Sequence, residues 1–332
     1  MTVLPEGVLE AHAEGVTGAV LRVIVAIADD AIVGKIELTA RFLNESGLSL
    51  YMLKLIPMGA IFSTTEYRYP YEYVILGITF IIVFLVIALT AAATVCGSVL
   101  FVPLVVILGY FASRSKHQEL LSQSQQVTPQ TAPEMILLIQ TNTARLQVEP
   151  VNVFIVPSRQ LNAYTFGIDS PKAIVLYSSL FKIMDRDEIQ FILGHEMGHV
   201  KLGHTWLNTL VGGIAGIPSP LGAAVIMELA FRWWNRACEY SADRAGVLAC
   251  GKPNKAISAL VKLEAGSTAR TQAGMQTAIQ YIEREDDDIM HNLEELIASH
   301  PMIAKRINEI RNYSNTQAYS HLRSMMDRNL TV

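Results

Sequence analysis

Phe191-Ile192-Leu193-Gly194-His195-Glu196-Met197-Gly198-His199-Val200 places H-E-x-x-H inside an apolar, helix-compatible run. Residues four apart share one helix face, with Cβ atoms about 5–6 Å apart. His195 and His199 can therefore offer imidazole nitrogens to one metal ion. Glu196, about 100° round the helix, can reach a water held there. Two histidines and a carboxylate base are what zinc-assisted hydrolysis uses. The alternative is two surface histidines with no metal. Upstream, Asp185 can cap the helix, and Glu188 three residues on completes a capping box. The helix is expected to end near Gly203-His204.

A catalytic zinc takes three protein ligands and keeps one position open. His204 is the nearest candidate for the third, but five residues past His199 it points off the ligand face. The extended pattern H-E-x-x-H-x-x-G-x-x-H also fails, with Leu202 and Thr205 where glycine and histidine would stand. Glu239 is the better candidate, in Arg236-Ala237-Cys238-Glu239-Tyr240-Ser241-Ala242-Asp243-Arg244. Glu239 and Asp243 share a helix face. Glu239 can bind the metal while Asp243 accepts the second N–H of a ligand histidine and fixes its tautomer.

The chain has 332 residues, 51% of them hydrophobic and only 17% charged. The usual charged share is about 25%, so contact with a lipid bilayer is expected. A net charge of −4 gives nucleic-acid binding no electrostatic support. Cys96, Cys238 and Cys250 are scattered and odd in number, which argues against a disulfide framework. Cys238 reads as a buried, inert thiol. The first residues lack the basic start, apolar core and cleavage site of a secretory signal.

Four segments follow. Residues 1–70 read as a helical region of no assignable role. Residues 71–113 read as a transmembrane hairpin, because Tyr73–Phe111 is almost wholly apolar and one span needs about 20 residues. The two spans would cover about 73–93 and 97–112, with one long span as the alternative. Tyr67, Tyr69, Tyr71, Tyr73 and Tyr110 suit membrane interfaces, and Arg68, Arg114 and Lys116 put both flanks on the cytoplasmic side. Residues 114–132 read as a polar linker. Residues 133–320 form the zinc domain, with a hydrophobic helical hairpin at 206–231. Within it, Pro133 opens a helix over 134–146, with Met135, Leu138, Ile139 and Leu146 on the buried stripe. Strand-like runs at 151–156, 161–166 and 173–177 predict a small antiparallel sheet. Helices are expected over 254–265, 272–283, 289–299 and 302–313, and Asp286-Asp287-Asp288 as a solvated helix start.

His195-Glu196-Met197-Gly198-His199 followed by Glu239-Tyr240-Ser241-Ala242-Asp243 resembles the HtpX-type membrane zinc metallopeptidases, a family that includes the CaaX prenyl proteases. Asn162-Ala163-Tyr164 is similar to its Asn-Ala-aromatic segment beside the cleft. Ser299-His300-Pro301, with Arg306 downstream, is similar to its C-terminal His-Pro segment. The likeness covers roughly residues 130–312; residues 1–70 have no counterpart, and 206–231 is shorter than a pair of full spans. The resemblance implies an α+β, mostly helical, gluzincin-like domain with one Zn2+ per chain. Its ligands would be His195, His199 and Glu239, its base Glu196, and its partners of the substrate carbonyl His300 and Asn162. A peptide or protein substrate would add as a strand near 161–166. It further implies an integral membrane endopeptidase of protein quality control, with its catalytic domain cytoplasmic (at the inner membrane, in a bacterium). The rivals are a CaaX-type processing protease, which needs a chamber for a prenyl chain, and a non-enzymatic membrane scaffold with a metal site.

Overall fold

The computed structural model describes residues 63–93, 121–167, 171–207, 222–265, 272–285 and 303–330, with scattered helical residues between 104 and 119. In chain order these give α1 (Glu72–Ala93), β1 (Gln125–Gln126), α2 (Pro133–Leu146), β2 (Val151–Val156), β3 (Ala163–Phe166), β4 (Lys172–Tyr177) and α3 (Leu180–Ile183). They continue with α4 (Arg186–Lys201), α5 (Gly222–Cys250), α6 (Pro253–Ala265), α7 (Gln272–Glu285), α8 (Ile303–Ser314) and α9 (Gln317–Leu330). The expected helix at 289–299, most of the second span at 97–112, and all but the end of the 1–70 region lie outside the described residues.

A capping box starts α4, the helix of H-E-x-x-H. The Asp185 carboxylate accepts from the N–H groups of Asp187 and Glu188, and Glu188 accepts from the Asp185 N–H. Lys262 of α6 donates to Glu188 at 2.7 Å, so the cap also ties α6 to the start of α4. α2 buries the expected stripe, Met135, Leu138, Ile139 and Leu146, against α4.

The sheet is mixed, which corrects the antiparallel expectation. Its strand order is β1-β2-β4-β3. β4 runs parallel to β2 and antiparallel to β3. Short connections suggest hairpins, but the order goes with burial. Ile174, Val175 and Leu176 of β4 are fully buried, and this most buried strand takes a central place while β3 is left at the edge. β1, inside the stretch read as a polar linker, pairs antiparallel with β2. The apolar run that follows Pro220 enters a long helix. It continues unbroken as α5, where nothing from Gly222 to Cys250 interrupts the helix. Most of the other expected arm, 206–217, lies outside the described residues.

α4 and α5 approach closely because small residues line their seam. A Cβ at Gly198 would meet the Ala245 Cβ at 2.7 Å, and one at Gly194 would collide with Ala249. This contact brings the helix bearing Glu239 and Asp243 against the two histidines. α1, by contrast, turns much of its surface outward, with Phe84 70% and Leu89 71% exposed. Its stretch Glu72–Thr90 is the one candidate among the described residues long and apolar enough to cross a membrane.

Gly198→Ala should force the seam apart and cost about 1–3 kcal/mol. Denaturant unfolding of the metal-free protein beside wild type checks this.

Candidate metal centre

One helical turn separates His195 from His199, and their Nε2 atoms stand 3.2 Å apart. Two nitrogens held tetrahedrally at about 2.0–2.1 Å from zinc lie roughly 3.3 Å apart, so the pair fits one ion. α5 brings in Glu239, with one carboxylate oxygen 3.5 Å from each Nε2. All three side chains are buried, and their ligand atoms cluster within 4.8 Å of one another. Three lone-pair donors aimed at one buried point, two of them imidazole, match the donor set zinc prefers.

Glu196 is buried beside this cluster and faces the sheet. The hydroxyl of Thr165, on edge strand β3, donates to its Oε2 at 2.6 Å. Thr165 carries no sequence signal, since a threonine in a short strand is ordinary.

Asp243, fully buried, accepts from His195 Nδ1 at 3.0 Å. The other face of this carboxylate receives a two-pronged contact from Arg306 of α8, Nε to Oδ2 at 2.8 Å and Nη2 to Oδ1 at 2.7 Å. Arg306 Nη1 also lies 3.4 Å from Glu239. Burial alone would raise the Asp243 carboxyl, but Arg306 and His195 overcome that and hold it below the usual range. Burial likewise opposes charge on His195, yet Asp243 and Glu239 outweigh it and push the imidazole up to about 10.

His204 lies off the ligand face. Its Nδ1 meets His199 Nδ1 at 3.0 Å, and its Nε2 meets Glu72 Oε1 at 3.1 Å. Burial pushes this imidazole down to about 4, despite Glu72. The fold back onto His199 needs Gly203, whose φ of 79° is in the left-handed region. Glu72 opens α1. It also pairs with Arg68 and accepts from Ser241. Cys238, next to Glu239, is buried among Leu207, Trp234 and α1 side chains, and burial raises its thiol well above the ordinary range.

Asn162 immediately precedes β3. It is exposed, and its backbone carbonyl accepts from Tyr177 N–H at 3.1 Å. Among the described residues no hydrogen bond joins its side chain to the histidines or glutamates. His300 lies outside the described residues.

Residues 129–314, more than half of the chain, match the profile of peptidase family M48. The chain is 29% identical over 202 residues to the plastoglobule-localized metallopeptidase 48 of Arabidopsis thaliana, covering 56% of this chain and 58% of that protein. It is 26% identical over 222 residues to a protease HtpX homolog of Pyrococcus abyssi, covering 56% of this chain and 75% of the relative. A protease HtpX homolog of Thermodesulfovibrio yellowstonii is 26% identical over 245 residues, 61% of this chain and 85% of the relative.

A histidine raised to about 10 is protonated at neutral pH when no metal is bound. A zinc ion bound through His195 would displace that proton, so binding should release about one proton near pH 7. Apparent affinity should then rise about tenfold per pH unit while pH stays below that value. Calorimetric titration of the metal-free protein with zinc, in buffers of different ionisation enthalpy, measures the release.

Proposed function

The chain belongs to peptidase family M48, and from this we propose that it is a membrane-anchored zinc endopeptidase, with His195, His199 and Glu239 holding the zinc and Glu196 as general base. The observation that carries this reading is the convergence of three buried ligand atoms beside a carboxylate already oriented by Thr165. Zinc at that point supplies Lewis acidity, which lowers the pKa of a water and polarises a peptide carbonyl. Glu196 takes the water's proton at Oε1, with Thr165 keeping Oε2 occupied, as the water oxygen bonds to the peptide carbonyl carbon, and passes that proton to the amine as the C–N bond breaks. Asp243, braced by Arg306, holds the His195 proton on Nδ1 and leaves Nε2 for the metal. Asn162 and His300 are assigned to the substrate carbonyl on the family resemblance alone.

The substrate adds as a strand along β3. In support, β3 is an edge strand, and through Thr165 it runs past the base. Backbone pairing gives little side-chain selectivity, which suits unfolded or membrane-protein substrates and a quality-control role. The names of the protease HtpX relatives agree with proteolysis.

The anchor is a two-span hairpin with the catalytic domain on the cytoplasmic side. Its support is that both flanks of the apolar segment touch the same domain. At one end, Tyr69 N–H donates to Ser241 at 2.8 Å and Arg68 to the Leu202 carbonyl at 3.0 Å. At the other, the His117 ring stacks on Phe166 of β3 at 3.9 Å, and β1 pairs with β2. A segment that leaves and rejoins one domain crosses a bilayer an even number of times.

Purified wild type and Glu196→Gln should each carry about one zinc, while only wild type cleaves casein, with the loss at about 100-fold or more. Equal cleavage would remove Glu196 as the base, and absence of zinc from both would remove the metal centre. A reporter fused after Lys116 should read cytoplasmic, and an external signal would refute the hairpin.

A further inference from the structure

Beyond the ligands, one buried cluster has no part in the reaction so far: Arg68, Glu72, His204, Cys238 and Ser241. Glu72, His204 and Cys238 have the chemistry of a second metal site. The guanidinium of Arg68 argues against it. It pairs with Glu72, donates to the Leu202 carbonyl at 3.0 Å and lies 3.5 Å from His204 Nε2. A cation held between Glu72 and His204 would have to share that space with a buried positive charge. The carboxylate is already compensated, and its second oxygen accepts from Ser241.

Proton positions give the cluster a different meaning. If His199 ligates through Nε2, its one remaining proton sits on Nδ1. The atom facing Nδ1, at 3.0 Å, is Nδ1 of His204, which must then accept. That places the His204 proton on Nε2, where Glu72 Oε1 takes it at 3.1 Å. Every proton in the chain has one place, and each step points from the metal toward a carboxylate.

We propose that His204 and Glu72 are positioning residues of the metal centre, joined to His199 in a hydrogen-bonded chain that holds its ring orientation and tautomer. The two ligand histidines are thus served differently. Asp243 takes the His195 proton directly, and Glu72 takes that of His199 through an interposed imidazole. Glu72 opens α1, so the apolar helix contributes to the metal centre as well as to anchoring. This inference rests on the zinc peptidase reading.

The test uses the full chain in detergent and measures zinc affinity by chelator competition for wild type, His204→Leu and His204→Asn. Asparagine keeps an acceptor where Nδ1 stood; leucine keeps only bulk. His204→Leu should lose about 10–100-fold in zinc affinity, with turnover falling through kcat rather than KM, and His204→Asn should recover most of the affinity. Unchanged affinity in His204→Leu would overturn the proposal. So would equal loss in both variants, which would mark His204 as packing alone, and so would loss of a second zinc equivalent, which would mark the cluster as a metal site. If His204→Leu does not fold, 15N-histidine spectra of zinc-loaded wild type decide. His204 should carry its proton on Nε2, and a proton on Nδ1 sinks the idea. Wild type that neither holds zinc nor cleaves would instead bring down the peptidase reading itself.

Discussion

The carboxylate of Asp243 is fully buried and faces His195 on one side and Arg306 on the other. An unpaired charge at that depth is untenable, and removing one partner of such a pair costs about 3–5 kcal/mol. The requirement ties three helices distant in sequence: α4 brings the histidine, α5 the aspartate and α8 the arginine. With Asp243 satisfied, Glu239 one turn earlier on α5 has its place opposite the two Nε2 atoms. The electrostatics and the packing agree, because the glycine–alanine seam allows α4 and α5 to come close enough for the pairing.

A second polar system lies on the far side of His199, and it is paired in the same way save for the Arg68 Nε, which is buried without a hydrogen-bond partner among the described residues. Arg68, Glu72, His204 and Ser241 are buried together, and each finds a partner in the others. The two systems hold His195 and His199 from opposite ends of one helical turn. A half-satisfied network of this kind would cost more than an apolar core, which argues that its members are retained or lost together.

Much of the local structure is legible in the sequence because it has a period or a cap. The spacing of His195 and His199, the Asp185–Glu188 box and the buried stripe of α2 are all patterns within a few residues. What escapes reading lies in pairings that leave no period. Thr165 meets Glu196 across 31 positions, Arg306 meets Asp243 across 63, and Glu72 meets His204 across 132. The mixed sheet escapes for a related reason: strand order goes with which strand is buried deepest in the fold, while connection length suggests hairpins. Spacing presents His204 only as a possible ligand, since it tells which way a side chain leaves its helix and not what waits there.

Glu72 also sets a depth. It stands in the first turn of the outward-facing apolar helix and is two hydrogen bonds from His199. On the proposed reading, with α1 set in a bilayer, a scissile bond would have to come almost to the lipid headgroups to be cut. A folded domain held well above the membrane would be out of reach however exposed its loops. A loosened stretch lying at the membrane surface would be within reach whatever its sequence. Selection would then act on height above the bilayer before it acted on side chains.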